Sequence, residues 1–125
     1  MLIDTDVLIW YLRGNLRAAE VIENSSSFSM SAVSYMELVQ GMRNKAELNL
    51  LRRTLREWNT EIISLNAEIT AKAIVYVEQH FLSHAVQVAD ALIAASAIHL
   101  GQPLLTANDK HYRVIKELQC HVFRP

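Results

Sequence analysis

Cysteine is almost missing from this chain. Cys120 stands alone among 125 residues, so no intrachain disulfide can form and a thiolate zinc cluster is ruled out. With three Gly and two Pro, collagenous, mucin-like and linker-rich architectures are excluded as well. No apolar run reaches the roughly 18 residues of a membrane span. The longest candidate, from Val86 to Leu100, is interrupted by Gln87, Asp90, Ser96 and His99. Met1-Leu2-Ile3-Asp4 has neither the basic start nor the long apolar stretch of a secretory signal. The expectation is a cytoplasmic protein with no membrane partner. A net charge of −1 does not announce a nucleic-acid binder.

What is present fits one globular domain over residues 1–125. The chain is 51% hydrophobic and 20% charged, and its length can bury a real core without staples. Short apolar runs read as strands at Leu2-Ile3, Phe28 to Met30, Glu61 to Leu65, Pro103 to Thr106 and Cys120 to Phe123. Helical spacing predicts helices over Val7 to Leu12 with Asp6 as N-cap, Leu16 to Asn24, Ala32 to Arg43 and Lys45 to Trp58. Further helices are expected from Asn66 to Phe81, Val88 to Leu100 and Asn108 to Leu118, with Gly101 as a stop. Strands alternating with helices predict an α/β fold, a central and mostly parallel five-stranded sheet flanked by helices.

The thirteen acids are mostly Glu; Asp occurs only at 4, 6, 90 and 109. In open α/β sheets, ligands bind beyond the carboxyl ends of the strands. Asp4 ends the first strand, and Thr106, Asn108 and Asp109 follow the fourth. Ser31, Ser34 and Glu37 follow the second, and Asp90 sits in the first turn of the most apolar helix. Taken singly these acids read as caps, turn residues or exposed helical positions. A carboxylate among Val88, Ala89, Ala91, Leu92 and Ile93 is costly unless paired or bound to a cation. Asp4, Glu37 and Asp90 converging at one sheet edge without a local Lys or Arg would repel one another. A divalent cation resolves that repulsion, and hard oxygen ligands point to Mg²⁺ or Mn²⁺. Such a site suits phosphodiester hydrolysis, in which the ion activates water and neutralises charge on the phosphate. Arg43 and Lys45 are candidate rim cations for a nucleic-acid backbone. They belong to a basic stretch with Arg52, Arg53 and Arg56, which by itself reads as a solvated helix face.

Four segments carry a resemblance. Leu2-Ile3-Asp4-Thr5-Asp6-Val7-Leu8-Ile9 resembles the opening motif of PIN-domain ribonucleases, where Asn often takes the place of Asp6. Ser31 to Leu38 resembles their second motif, Asp90 to Ala97 the third, and Leu104 to Tyr112 the fourth. Order, spacing and length agree over essentially the whole chain, and the compact form resembles the VapC-type toxins of prokaryotic toxin–antitoxin pairs. That resemblance implies a parallel sheet and an acidic pocket binding Mg²⁺ or Mn²⁺. It also implies a homodimer, a cognate antitoxin that blocks the pocket, and an endoribonuclease cleaving structured RNA. By position, Asp4, Glu37 and Asp90 are the core acids and metal ligands. The fourth acidic place falls on Asn108, with Asp109 next to it, and both stay open as its occupant. Thr5 and Thr106 would hold a water or a phosphate oxygen through their hydroxyls.

Two rivals remain at this level. A degenerate PIN domain would only bind RNA or a protein partner. Asp4-Thr5-Asp6-Val7 also resembles the first motif of haloacid-dehalogenase-type phosphatases, which need a Lys after a later strand. Lys72 falls inside a predicted helix instead. Trp10, Tyr11 and Trp58 read as packing residues, Cys120 as a small buried hydrophobe, and His111 as a surface helix residue. His80 and His84, four apart, straddle a helix end and lack a third ligand for zinc.

Overall fold

Two apolar residues open the chain, and two are enough for its first strand. The protein is represented by a computed structural model that describes residues 1–83 and 86–125. In chain order the elements are β1 (Leu2–Ile3), α1 (Thr5–Leu12), α2 (Leu16–Glu23), β2 (Ser29–Ser31), α3 (Ala32–Gln40) and α4 (Lys45–Glu57). There follow β3 (Glu61–Ile63), α5 (Ala67–His80), α6 (Val88–Leu100), β4 (Leu104–Thr106), α7 (Asp109–Tyr112) and β5 (Cys120–Val122). The five strands form one sheet in the order β3-β2-β1-β4-β5, and every pairing is parallel. Each parallel neighbour must be reached by a crossover, which is why helices separate the strands.

Alternation along the strands divides the interior in two. Leu2 pairs with Leu104, and both join Ile69, Ala73, Ile93, Ala94 and Ile115 on one face. Ile3 pairs with Leu105, and both join Val7, Ile22, Met30, Leu51 and Leu55 on the other. The α6 helix is apolar nearly all round, and Ala91, Ile93, Ala94, Ala95 and Ala97 are all buried. Gly101 ends it in the left-handed region at φ 64°, a conformation that favours glycine. Trp58 packs in the second core, edge-on to Tyr11 at 4.6 Å between ring centroids and 5.6 Å from Phe28. Trp10 lies against the same cluster.

Strand ends shift by one or two residues from the sequence expectation, and three helix boundaries differ in ways that matter more. The α1 helix begins at Thr5, and its cap is Asp4 rather than Asp6, because the chain turns into helix as soon as β1 ends. The α3 helix stops at Gln40 with Gly41 as its C-cap, so Gly41 is not interior. The α7 helix is a single turn; Ile115 N donates to Tyr112 O and Leu118 N to Ile115 O in successive tight turns. His84 lies outside the described residues, and with it the His80–His84 pair. Cys120 is half-buried on the edge strand β5 rather than fully enclosed. Among the described residues no helix is long and apolar enough to cross a membrane.

The strand order locates the site. The chain runs outward from β1 through β2 to β3, then returns to the other side of β1 at β4. The crevice beyond β1 and β4 is therefore the switch point at which such sheets bind ligands.

Candidate active site

Asp4 is the first residue past the central strand and is only 5% exposed. Its Oδ1 accepts from Thr5 N at 2.8 Å. Its Oδ2 accepts from Thr106 Oγ1 at 2.8 Å and from the Tyr112 hydroxyl at 2.9 Å. Burial, and after it the neighbouring charge of Asp6, pushes the Asp4 carboxyl up to about 7, against the pull of these three hydrogen bonds. Asp6 accepts from Val7 N at 2.7 Å and from Ala107 N at 3.0 Å, clamping the end of β1 to the loop after β4. Burial raises its carboxyl too.

Asp90 comes from the first turn of α6. Its Oδ2 accepts from Gln87 N at 3.1 Å, so it does cap its own helix. Its Oδ1 lies 3.4 Å from the same Tyr112 hydroxyl that binds Asp4. Asp4 and Asp90 thus meet across one phenol oxygen, although they come from opposite ends of the chain. His111 sends Nδ1 to within 3.5 Å of Asp90 Oδ2, so it faces the site and is not a plain surface residue.

Glu37 stands one hydroxyl further out, exposed to solvent. Thr5 Oγ1 donates to Glu37 Oε1 at 2.8 Å and lies 2.8 Å from Ser34 Oγ, which is fully buried. A hydroxyl carries one proton and two lone pairs, so Ser34 supplies the second bond. The three acids are therefore not a tight cluster. Among the described residues no group of three or more His, Cys, Asp or Glu is gathered closely enough to hold an ion. Two carboxylates converge, and the third is tied back by Thr5. The hydroxyls of Thr5 and Thr106 are committed to protein carboxylates rather than left open for a phosphate.

The fourth motif resolves into two different environments. Asn108 is exposed at the sheet edge, and its backbone N donates to Thr106 Oγ1 at 3.0 Å. Asp109 is held by Arg113 at 3.1 Å and by Arg124 at 2.9 Å. These guanidiniums, Arg124 foremost, hold its carboxyl below the ordinary carboxylate range. Arg124 also donates to Ala107 O at 2.9 Å, fastening the end of the chain to the loop after β4. Asp109→Asn is therefore expected to change divalent-ion affinity and cleavage rate by less than about threefold, because mutations away from the bound groups have small effects. Titration calorimetry and a cleavage time course read this; a loss of tenfold or more would put Asp109 back among the ligands. Of the rim cations, Arg43 makes a bidentate pair with Glu47, with its closest contact at 2.8 Å, and lines a groove of about 600 Å³ that also holds Glu37. Lys45 is exposed at the start of α4.

Among the described residues, no Lys or Arg pairs with Asp4, Asp6, Glu37 or Asp90. The PIN domain family model matches residues 1–117. The chain belongs to the PIN domain family. Ribonuclease VapC19 of Mycobacterium tuberculosis is 31% identical to it over 124 residues, covering 94% of this chain and 96% of the relative. VapBC-1 from nontypeable Haemophilus influenzae superposes with a TM-score of 0.81 at 22% identity, over 97% of this chain and 96% of that one. VapBC2 from Rickettsia felis, solved bound to a DNA fragment from its promoter, gives 0.79 at 21% identity over 98% of each chain. Both structures share the fold of this PIN domain. The phosphatase alternative falls with this match, and Lys72 confirms it locally: it pairs with Glu117 at 3.3 Å from within α5, not at a strand end.

Two carboxylate oxygens without a cationic partner are the donor set that a hard divalent ion takes, with water completing its shell. In this PIN domain the chemistry of Asp4 and Asp90 fits Mg²⁺ or Mn²⁺, whereas Glu37 stands apart, bonded to Thr5. Tyr112 and Asp6 are functional neighbours that motif reading passed over. Asp6 was legible as an acid after a strand, but it reads as a helix cap. Nothing in the pattern separates Tyr112 from a core aromatic.

Proposed function

We propose that this PIN domain is a divalent-metal-dependent endoribonuclease and the toxin half of a toxin–antitoxin pair. The observation that carries this reading is the meeting of buried Asp4 and half-buried Asp90 at the switch point of the sheet, with no Lys or Arg among the described residues paired to either. Identity to a ribonuclease over almost the whole chain supports it. Asp4 and Asp90 would hold the ion, and Glu37, oriented by Thr5, would hold a water beside it. The bound ion supplies Lewis-acid activation and neutralises charge that grows on the phosphate. Thr106 and Tyr112 keep Asp4 in one orientation, and Asn108 sits at the open edge where the RNA backbone approaches. Arg43 and Lys45 provide positive charge on the Glu37 side of the pocket.

The partners follow from the same reading. Solved relatives are toxin–antitoxin complexes, which supports a cognate antitoxin for this chain, acting in the cytoplasm where the RNA is. Ile74 within α5, Phe81 and Leu82 just after it, and Val88 at the start of α6 are exposed apolar residues. Burying these side chains in a second copy supports a homodimer.

Expressing the wild type and Asp90→Asn separately in a bacterial host, followed by mapping of RNA ends, tests the proposal. Wild type is expected to arrest growth and to leave discrete new RNA ends that Asp90→Asn does not produce. New ends made equally by both proteins, or cleavage by purified protein that survives EDTA, would overturn it.

A further inference from the structure

Among the described residues Tyr112 is the largest fully buried side chain, at 1% exposure. Its ring belongs to the core that contains Ile93, Ala94, Leu104 and Ile115. Its hydroxyl leaves that core and meets Asp4 Oδ2 at 2.9 Å and Asp90 Oδ1 at 3.4 Å. A tyrosine has two side-chain torsions, and packing on all sides of the ring fixes both. The oxygen is therefore a rigid point between two carboxylates carried by different elements. Its one proton is shared between two acceptors, mainly with the nearer oxygen on Asp4 and more weakly with Asp90. Asp4 also accepts from Thr5 N and Thr106 Oγ1. Three of the roughly four lone-pair positions of its carboxylate are thereby used, and its rotation is set.

We propose that Tyr112 is a positioning residue whose hydroxyl fixes the separation of the Asp4 and Asp90 carboxylates and so sets the size of divalent ion the pair accepts. This rests on the reading of Asp4 and Asp90 as ion ligands. Mg²⁺ and Mn²⁺ demand short, regular oxygen contacts, whereas Ca²⁺ tolerates longer and more variable ones. Outer groups that orient a ligand are typically worth about 10- to 100-fold in ion affinity. Losing the spacer should therefore weaken small ions more than Ca²⁺.

The test is calorimetric titration of the full chain with Mn²⁺ and with Ca²⁺, for wild type, Tyr112→Phe, Thr106→Val and Asp4→Asn. Tyr112→Phe keeps the buried ring and is expected to lose about 10- to 100-fold in Mn²⁺ affinity but less than about threefold for Ca²⁺. Thr106→Val removes a donor from the same Asp4 oxygen without touching Asp90, so it should weaken both ions alike. Circular dichroism checks each fold, and Tyr112→Met, whose flexible apolar side chain fills most of the ring's space without a hydroxyl, gives a second reading if the Phe variant is unstable. An unchanged Mn²⁺-to-Ca²⁺ ratio in folded Tyr112 variants, with wild-type binding that still depends on Asp4, overturns the spacer role alone. Wild-type binding that does not depend on Asp4 overturns the ion site and the spacer role together.

Discussion

Asp4→Asn is expected to lower RNA cleavage by on the order of 10³-fold or more while raising the thermal midpoint of the metal-free protein at pH 8. The two effects have one cause. The Asp4 carboxylate is buried beside Asp6, and no Lys or Arg among the described residues pairs with it. In the metal-free protein its ionised form is a burden, relieved only in part by Thr5 N, Thr106 and Tyr112. Asn is close to isosteric, keeps an oxygen for Thr5 N and carries no charge. Its amide NH₂ would face the Thr106 and Tyr112 hydroxyls, which can rotate to accept, and Tyr112 is then free to donate to Asp90. The neutral side chain removes a charge that a divalent ion needs. Outer-shell changes alone cost about 10- to 100-fold, so loss of a direct ligand costs more. A cleavage time course at saturating Mg²⁺ and a melting curve in EDTA check both halves. Retained cleavage, or a midpoint that falls at pH 8, would remove Asp4 from the centre of the mechanism.

The second large effect is a dependence of stability on pH that reverses when divalent ion is added. The Asp4 carboxyl is raised from 3.8 to about 7 in the folded protein. Between those values the folded state holds a proton that the unfolded chain releases. The stability linked to that proton is fully present below the lower value and is lost as pH rises through the upper one. Asp6 is raised in the same direction by its own burial. The Arg-paired carboxylates Asp109 and Glu47 have the opposite sign. Both are half-buried but their Arg partners are exposed and screened, and their contribution disappears only as pH falls through values below the ordinary carboxylate range. The difference at Asp4 amounts to at most ~4 kcal/mol. The metal-free protein is therefore expected to melt roughly 5–15 °C higher at pH 5.5 than at pH 8. Mg²⁺ or Mn²⁺ competes with the proton at Asp4, so the stabilisation it adds should grow over the same interval, and cleavage should fall toward acid pH. Melting curves at both pH values, with EDTA and with Mn²⁺, decide it. A metal-free midpoint that is flat or rising from pH 5.5 to pH 8 contradicts the buried, unpaired state of Asp4.

Most of the architecture could be read before the structure because each short strand is an apolar run that stops at a polar residue. Leu2-Ile3 stops at Asp4, and Leu104-Leu105 stops at Thr106, which is also where Asp4, Asp6 and Thr106 meet. Asp90 was legible for a related reason, as a charge inside the most apolar helix. The misreadings share a physical origin in local patterns that serve two geometries. Tyr112, Ile115 and Leu118 are spaced by three, as on a helix face, yet successive tight turns bury the same spacing. Asp4 and Asp6 are both competent caps, and the abrupt end of β1 selects the first. The fate of Asp109 depends on Arg124, fifteen residues later, and no neighbour of Asp109 announces that contact. Tyr112 was hidden because its ring does what a core aromatic does; only the position of its oxygen, between carboxylates from distant segments, distinguishes it.

Asp4 stands at the beginning of the chain, whereas Thr106, Ala107 and Tyr112, which orient Asp4 and Asp6, stand near its end. On a ribosome Asp4 is made 102 residues before Thr106. Until β4 slots in beside β1 the central strand lacks a neighbour, and Asp4 has neither its partners nor its burial. A growing chain of this kind carries no assembled pocket, so an enzyme that cuts RNA stays harmless to the message and the machinery producing it until Thr106 and Tyr112 have been made and have folded into place.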